Sequence, residues 1–254
     1  MTRSIARTRL VEYLDGYLKI ATIPDKSLNG LQVEGRPRIE RAAFAVDASL
    51  ETIRAASRAG ADILVVHHGL FWSRNERITG VMRKRIGALV ESGLSLYAAH
   101  LPLDCHEEVG NNAEIARLLG LEIEERFGDY HGVLIGYTAR SRRPIARSAL
   151  ARSVEKALRC RVEQLNFGPA RVRRVGIVSG GAAEFAVEAK ALGCEAFVTG
   201  ETSHSAYHAV KESGINVIFA GHYASETVGV KALARHLEKK FGLECRFLPA
   251  PTGF

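Results

Sequence analysis

The sequence has little of what a disulfide scaffold, a membrane span or a nucleic-acid reader requires. Its four cysteines (Cys105, Cys160, Cys194 and Cys245) are scattered and form no C-x-x-C pair. That excludes a dense disulfide framework and a thiolate-type structural zinc site, and it suits a reducing cytoplasm. No stretch approaches the ~20 continuous apolar residues of a membrane-spanning helix. The opening MTRSIARTRLVEYLDGYLKI has a basic start but neither the apolar core nor the small-residue cleavage site of a signal peptide. It reads instead as an amphipathic helix, with Leu10, Tyr13, Leu14, Tyr17 and Leu18 on one side. There is no fixed-period repeat, no long Pro/Gly/Ser-rich linker, no Walker-type glycine loop and no helix-turn-helix signature. The expectation is a cytoplasmic protein with no membrane contact.

What is present is an ordinary globular composition. The chain has 254 residues, 46% hydrophobic and 25% charged, enough for one large or two modest α/β domains. The net charge of +7 is a local feature. Residues 138–175 hold 11 Lys and Arg, including Arg140, Arg142, Arg143, Arg171, Arg173 and Arg174, against two acids; the rest carries 24 basic and 26 acidic residues. This segment reads as a solvated face or subunit contact, or else as an anion or nucleic-acid contact. It lacks the interleaved aromatics of a single-strand platform.

Apolar runs alternate with helical patterns along the chain. RAAFAVDA (41–48), ADILVVHH (61–68), LSLYAAH (94–100), RVGIVSGGA, EAFVTG and INVIFAG read as strands. Helical segments are expected around 81–92, 111–121, 144–158, 182–192, 203–213 and 224–240. LEIEERF and HGVLIGYTA read as neighbouring strands joined by GDYH, with a short strand near 162–166 and another at ECRFLP. This alternation implies βαβ units and an α/β fold with mainly parallel sheets. The stretch 120–145 is the candidate crossing between two lobes. The expected division is residues 1–125, an N-terminal lobe with His67, His68 and Asp104, and 126–254, a C-terminal lobe with His222 and Glu226.

In open α/β sheets ligands collect at the carboxyl ends of parallel strands, and the polar clusters of this chain fall there. His67 and His68 end one strand. His100 ends another, with Asp104 in the loop after it. His222 ends a third, and Glu226 follows four residues on, sharing its helical face if the helix has begun. A continuing strand would point His67 and His68 to opposite faces; a chain that turns there lets both meet one pole. The set His67, His68, Asp104, His222 and Glu226 offers imidazole nitrogens and carboxylate oxygens without thiolate, which suits Zn, Mn, Fe, Co or Ni. Five ligands exceed the needs of one catalytic zinc and suit two ions with a bridging carboxylate. The alternative is that each histidine is satisfied locally.

Five motifs carry a family resemblance: NGLQVEG (29–35), VVHHGLFW (65–72), AHLPLDCHEEVGNNAEIARLLG (99–120), FVTGE (197–201) and AGHYASE (220–226). Together they resemble the short bacterial branch of the Nif-three-like dinuclear metal-centre family, whose bacterial members are labelled GTP cyclohydrolase 1 type 2 homologues. The resemblance implies two interlinked lobes with the site in the cleft, and a hexameric ring. It also implies that His67 and Asp104 bind one metal, His68 and His222 the other, and that Glu226 bridges them. His100 matches a motif histidine that lines the site, either orienting a ligand or bound water or taking a direct catalytic part as a proton shuttle.

Glu201 and His204 are candidate substrate contacts, with the alternative that they cap the helix from 203, where Thr202 is a natural N-cap. Gly180 and Gly181 either present N–H groups to an anion or form a structural turn. Cys105, His106, His131, His208 and His236 read as bystanders. The expected activity is that of a metal-dependent hydrolase using a metal-bridging hydroxide, with GTP or another nucleotide implied by the resemblance. The alternative is a non-enzymatic, metal-loaded ring serving as a regulatory scaffold or in metal handling.

Overall fold

The computed structural model describes residues 4–74 and 76–253, in two compact units. The first holds the chain up to Leu103 and regains it for Val230–Ala250; the second holds Asp104–Gly229 and the end of the chain from Pro251. The boundary expected near residue 125 is therefore corrected. Asp104 belongs to the second unit, and the chain returns to the first because its last strand, Glu244–Phe247, pairs in parallel with Arg41–Asp47.

In the first unit β1 (Ile5–Ala6) leads into α1 (Arg7–Tyr17). The spacing of Leu10, Leu14 and Leu18 puts all three on one face, and each is 0% exposed. Tyr13 and Tyr17 flank that stripe and stack on His236. Then come β2 (Gly30–Val33), β3 (Arg38–Ile39), β4 (Arg41–Asp47), α2 (Leu50–Arg58), β5 (Ile63–His68), α3 (Gly80–Ser92) and β6 (Ser95–Ala98). The order of the five-stranded sheet is C-terminal strand, β4, β5, β6, β2, and only β2 runs antiparallel to its neighbour. A capping box starts α2: the Thr52 N–H donates to Ser49 Oγ at 3.1 Å and the Ser49 N–H to Thr52 Oγ1 at 3.0 Å. The core gathers Ala43, Leu64, Val66, Leu96 and Ala98 of the sheet against Ile53, Ala56 and Leu89 of the helices.

A short α4 (Leu101–Asp104) precedes the second unit, which contains α5 (Asn111–Leu118), β7 (Glu122–Tyr130), β8 (Val133–Ala146), α6 (Arg147–Leu158) and β9 (Glu163–Asn166). It continues with β10 (Arg171–Ile177), α7 (Ala186–Ala191), β11 (Ala196–Thr199), α8 (Ala206–Ser213) and β12 (Asn216–Phe219). The last helix, α9 (His222–Phe241), begins here. The six strands are ordered β7-β8-β10-β11-β12-β9. The centre β10-β11-β12 is parallel, as the βαβ pattern predicts, while β8, β7 and β9 add antiparallel edges.

Local chemistry explains where the elements depart from the sequence pattern. The β7–β8 hairpin turns at His131–Gly132 and not over residues 128–131, because these two residues take the positive φ values (54° and 88°) that a two-residue hairpin turn demands. α6 starts at Arg147 and not at 144, since β8 runs on to pair Ala146 with Arg171. Pro144 sits in the irregular stretch of that pairing, where no ladder N–H is required.

The basic segment faces acids of β7 and β11. Arg142 pairs with Glu122 at 2.9 Å, Arg174 with Glu124 at 2.6 Å and with Glu125, and Arg140 with Glu124. The Glu195 carboxylate accepts the backbone N–H groups of Arg173 and Arg174. Arg140, Arg142 and Arg174 of the basic segment are thus laced into cross-strand ion pairs. Among the described residues no helix is long and apolar enough to cross a membrane.

The α1 stripe gives a direct test. Leu14→Ala empties a fully buried site and is expected to cost about 2–5 kcal/mol, read as a lower midpoint of urea unfolding; the exposed Glu12→Ala is expected to leave the midpoint within error.

Candidate metal centre

The site residues of the first unit stand where its parallel strands end. The ladder between β5 and β6 stops at Val66–Ala98. Beyond it the His67 ring is fully buried, and its Nδ1–H donates to the Ala99 carbonyl at 2.9 Å. On the other side Asp47, the last residue of β4, sits in register with His68 and accepts from its Nδ1 at 2.8 Å. The two rings do not diverge as on a flat strand: their centroids lie 4.7 Å apart, and His100 stands 5.0 Å from His67 and 5.6 Å from His68. One ligand atom from each of these three histidines falls within 4.8 Å of the others.

Asp25 organises the third ring. Its carboxylate, 2% exposed, accepts from His100 Nδ1 at 3.0 Å, from Asn29 Nδ2 at 2.9 Å and from the backbone N–H groups of Ser27 and Leu101. Asn29 in turn accepts the His100 N–H through Oδ1 at 2.8 Å. Burial alone would raise the Asp25 pKa, but the hydrogen bond and charge of His100, with Asn29 and Ser27, hold it down at about 2. Asp25 is therefore a fixed anion behind His100.

In the second unit Asp104, 7% exposed, accepts from Asn111 Nδ2 at 2.8 Å and Ser179 Oγ at 3.1 Å, both on Oδ1. Asn111 and Asn112 open α5, where Gly110 and not an asparagine is the N-cap. Their side chains reach out of the helix, Asn111 to Asp104 and to the Gly229 N–H, Asn112 to the Ile135 carbonyl and the Ser179 N–H. His222 opens α9, so the helix has begun by Glu226 and the pair shares one face, Nε2 to Oε1 at 3.0 Å. Glu201 holds the other nitrogen, Nδ1, of the same ring.

Gly180 makes this packing possible. Its φ is +69°, and a Cβ there would lie 2.6 Å from Glu226 Oε1. Its N–H donates to Ser225 Oγ, and its carbonyl accepts from the N–H groups of Gly200 and Glu201. Gly180 thus forms a structural turn. His204 lies in an exposed turn. The helix there starts later than expected, at Ala206, whose N–H is met by Ser203 Oγ and not by Thr202.

A common arrangement runs through both units. His67, His68, His100 and His222 each engage Nδ1 with an oxygen acceptor: Ala99 O, Asp47, Asp25 and Glu201 respectively. A proton held on Nδ1 leaves the Nε2 lone pair as the coordinating atom, the way metal-binding imidazoles are prepared. Taken unit by unit, the donors are three imidazoles in the first and one imidazole with the buried carboxylates of Asp104 and Glu226 in the second, groups of the kind that suit a divalent transition metal. Asp25, Asp47, Asn111 and Ser179 were not among the residues singled out in the sequence. Asp47 was within reach of the strand-end rule, since it closes FAVD just as His68 closes LVVHH.

Without metal, burial opposes protonation of His222, yet its hydrogen bond with Glu226 and the charges of Glu226 and Glu201 push its pKa up to about 9. Because this exceeds the ordinary 6.5, the ring stabilises the metal-free fold fully below pH 6.5, and that contribution fades as pH rises through about 9. A histidine NMR titration of metal-free protein is expected to place the His222 midpoint near 9. Glu226→Gln is expected to bring it down towards 6.5; a wild-type midpoint already at 6.5 contradicts this account.

Comparison with known proteins agrees over almost the full length. A protein of Archaeoglobus fulgidus named GTP cyclohydrolase 1 type 2 homolog is 49% identical over 243 residues, 96% of this chain and 97% of its own. The solved structure of TTHA1606 from Thermus thermophilus matches with a TM-score of 0.89 at 42% identity, over 98% of this chain and all of its own. A structure described as protein ybgI, of unknown function, matches with a TM-score of 0.93 at 34% identity, over 98% and 100% of the two chains. The sequence profile of Duf34/NIF3 (NGG1p interacting factor 3) fits residues 5–252, and the chain belongs to that family.

Proposed function

We propose that this protein is a metal-dependent hydrolase whose residues His67, His68, Asp104, His222 and Glu226 hold two divalent transition-metal ions. The observation that carries the reading is the uniform engagement of imidazole Nδ1 atoms by oxygen acceptors, which aligns Nε2 for coordination. When bound, two such ions supply a water of lowered pKa and polarise a substrate oxygen.

The chain's own groups do the rest. Asp47 and the Ala99 carbonyl set the ring planes of His68 and His67. Asn111 and Ser179 fix the plane of the Asp104 carboxylate by meeting the same oxygen. Glu226, 3% exposed and one turn from His222, serves as the shared carboxylate. His100, backed by the anionic Asp25, holds and returns a proton at Nε2. Glu201 acts through His222 as a positioning residue. The name carried by the Archaeoglobus relative suggests a nucleotide such as GTP as substrate.

The test is metal content per subunit together with turnover. Wild type purified without chelator is expected to carry about two ions, Glu226→Ala markedly fewer, and only the loaded wild type to release formate from GTP. A wild type that stays empty after metal is supplied at neutral pH overturns the reading. Full loading without turnover on any nucleotide leaves the metal site standing and overturns the hydrolase.

A further inference from the structure

Next to the three imidazoles of the first unit lies a cavity of about 530 Å³, lined by residues 25–28, 71–74 and Glu76. Its two loops are latched together: the Leu28 N–H donates to the Phe71 carbonyl at 2.9 Å, and Ser27 and Trp72 form an antiparallel bridge. Trp72 joins cavity to site. Its ring meets His100 edge-on with centroids 5.0 Å apart and lies 6.1 Å from His68. Asp25, which also lines the cavity, is the same carboxylate that holds His100.

The lining has a definite chemistry. Phe71 and Trp72 are half-buried and offer flat apolar surface. Ser27 is 6% exposed, and its Oγ has no hydrogen-bond partner among the described residues. That hydroxyl is closed off from the cavity space, so the polar groups a ligand can reach are those at the mouth. Lys26 and Arg74 stand exposed at the mouth, accompanied by the exposed Glu76. Aromatic wall and cationic mouth together match a planar ring with an anionic tail. The volume lies in the range of small-molecule sites.

We propose that this cavity is the recognition subsite for a phosphorylated planar heteroaromatic ligand, a nucleoside monophosphate or the corresponding part of a larger nucleotide. The ring packs on Trp72 and Phe71, and the phosphate lies at Lys26 and Arg74. The assignment rests on the hydrolase reading for what happens to the bound nucleotide, but binding itself is read without metal or turnover.

Trp72 is the chain's single tryptophan, so its emission reports on this cavity and on the His100 and His68 rings beside it, and the controls below separate the two. The experiment is a fluorescence titration of the full-length protein with GMP, excited at the red edge of tryptophan absorption, with and without added metal. Parallel arms use inorganic phosphate and ribose 5-phosphate. The expected result is saturable quenching by GMP, with either control at least about tenfold weaker. Lys26→Ala/Arg74→Ala, at exposed positions and with its unfolding midpoint checked against wild type, is expected to weaken GMP by about tenfold or more, as loss of charge-assisted hydrogen bonds does. The subsite is overturned if GMP gives no saturable response, if the double variant binds unchanged, or if inorganic phosphate matches GMP. Quenching that persists in metal-depleted Glu226→Ala keeps the subsite even where the metal reading fails; loaded protein without quenching does the reverse.

Discussion

An imidazole has two nitrogens and can give only one of them to a metal with its lone pair intact. That constraint bears directly on the metal reading proposed for this molecule. At four positions the nitrogen that faces away is tied to an oxygen, and each oxygen comes from a different part of the chain: a strand-end carbonyl, a strand-end aspartate, a loop aspartate and a glutamate after another strand. The rings cannot rotate without giving up these bonds, so their orientation is set before any ligand arrives.

The parallel sheets make such convergence possible. Strands β4, β5 and β6 end at one edge of the first unit, and β10, β11 and β12 at one edge of the second. Residues far apart in sequence are thereby delivered to one place, as with Asp47 and His68, 21 positions apart. The glycines after these strands serve the same end. Gly200, packed against the Gly180 carbonyl and the His222 backbone, would bring a Cβ within 2.6 Å and 2.8 Å of them. Backbone lies close to backbone here so that carboxylates and imidazoles can occupy the remaining space.

The sequence made the strand-ending histidines legible because strong apolar runs such as DILVV and INVIFA stop abruptly on polar residues. The amphipathic α1 and the βαβ alternation were legible for the same reason, a clear period. The residues that steady the site were not. Asp25 lies in a loop, and Asn111 sits one residue inside its helix with its side chain turned to Asp104. Their roles depend on contacts across 7 to 75 residues, which no local pattern encodes. The unit boundary was missed for a related reason. Nothing within ECRF announces that it pairs with a strand some two hundred residues earlier.

The four orienting oxygens are not equally exposed to genetic change. Three belong to side chains, Asp47, Asp25 and Glu201, so a single codon can loosen His68, His100 or His222. The fourth is the main-chain carbonyl of Ala99. Every residue supplies that carbonyl, so no substitution at 99 that keeps the backbone path can deprive His67 of its anchor. One imidazole is thus aligned by the backbone itself, and three are aligned by side chains that a substitution can remove.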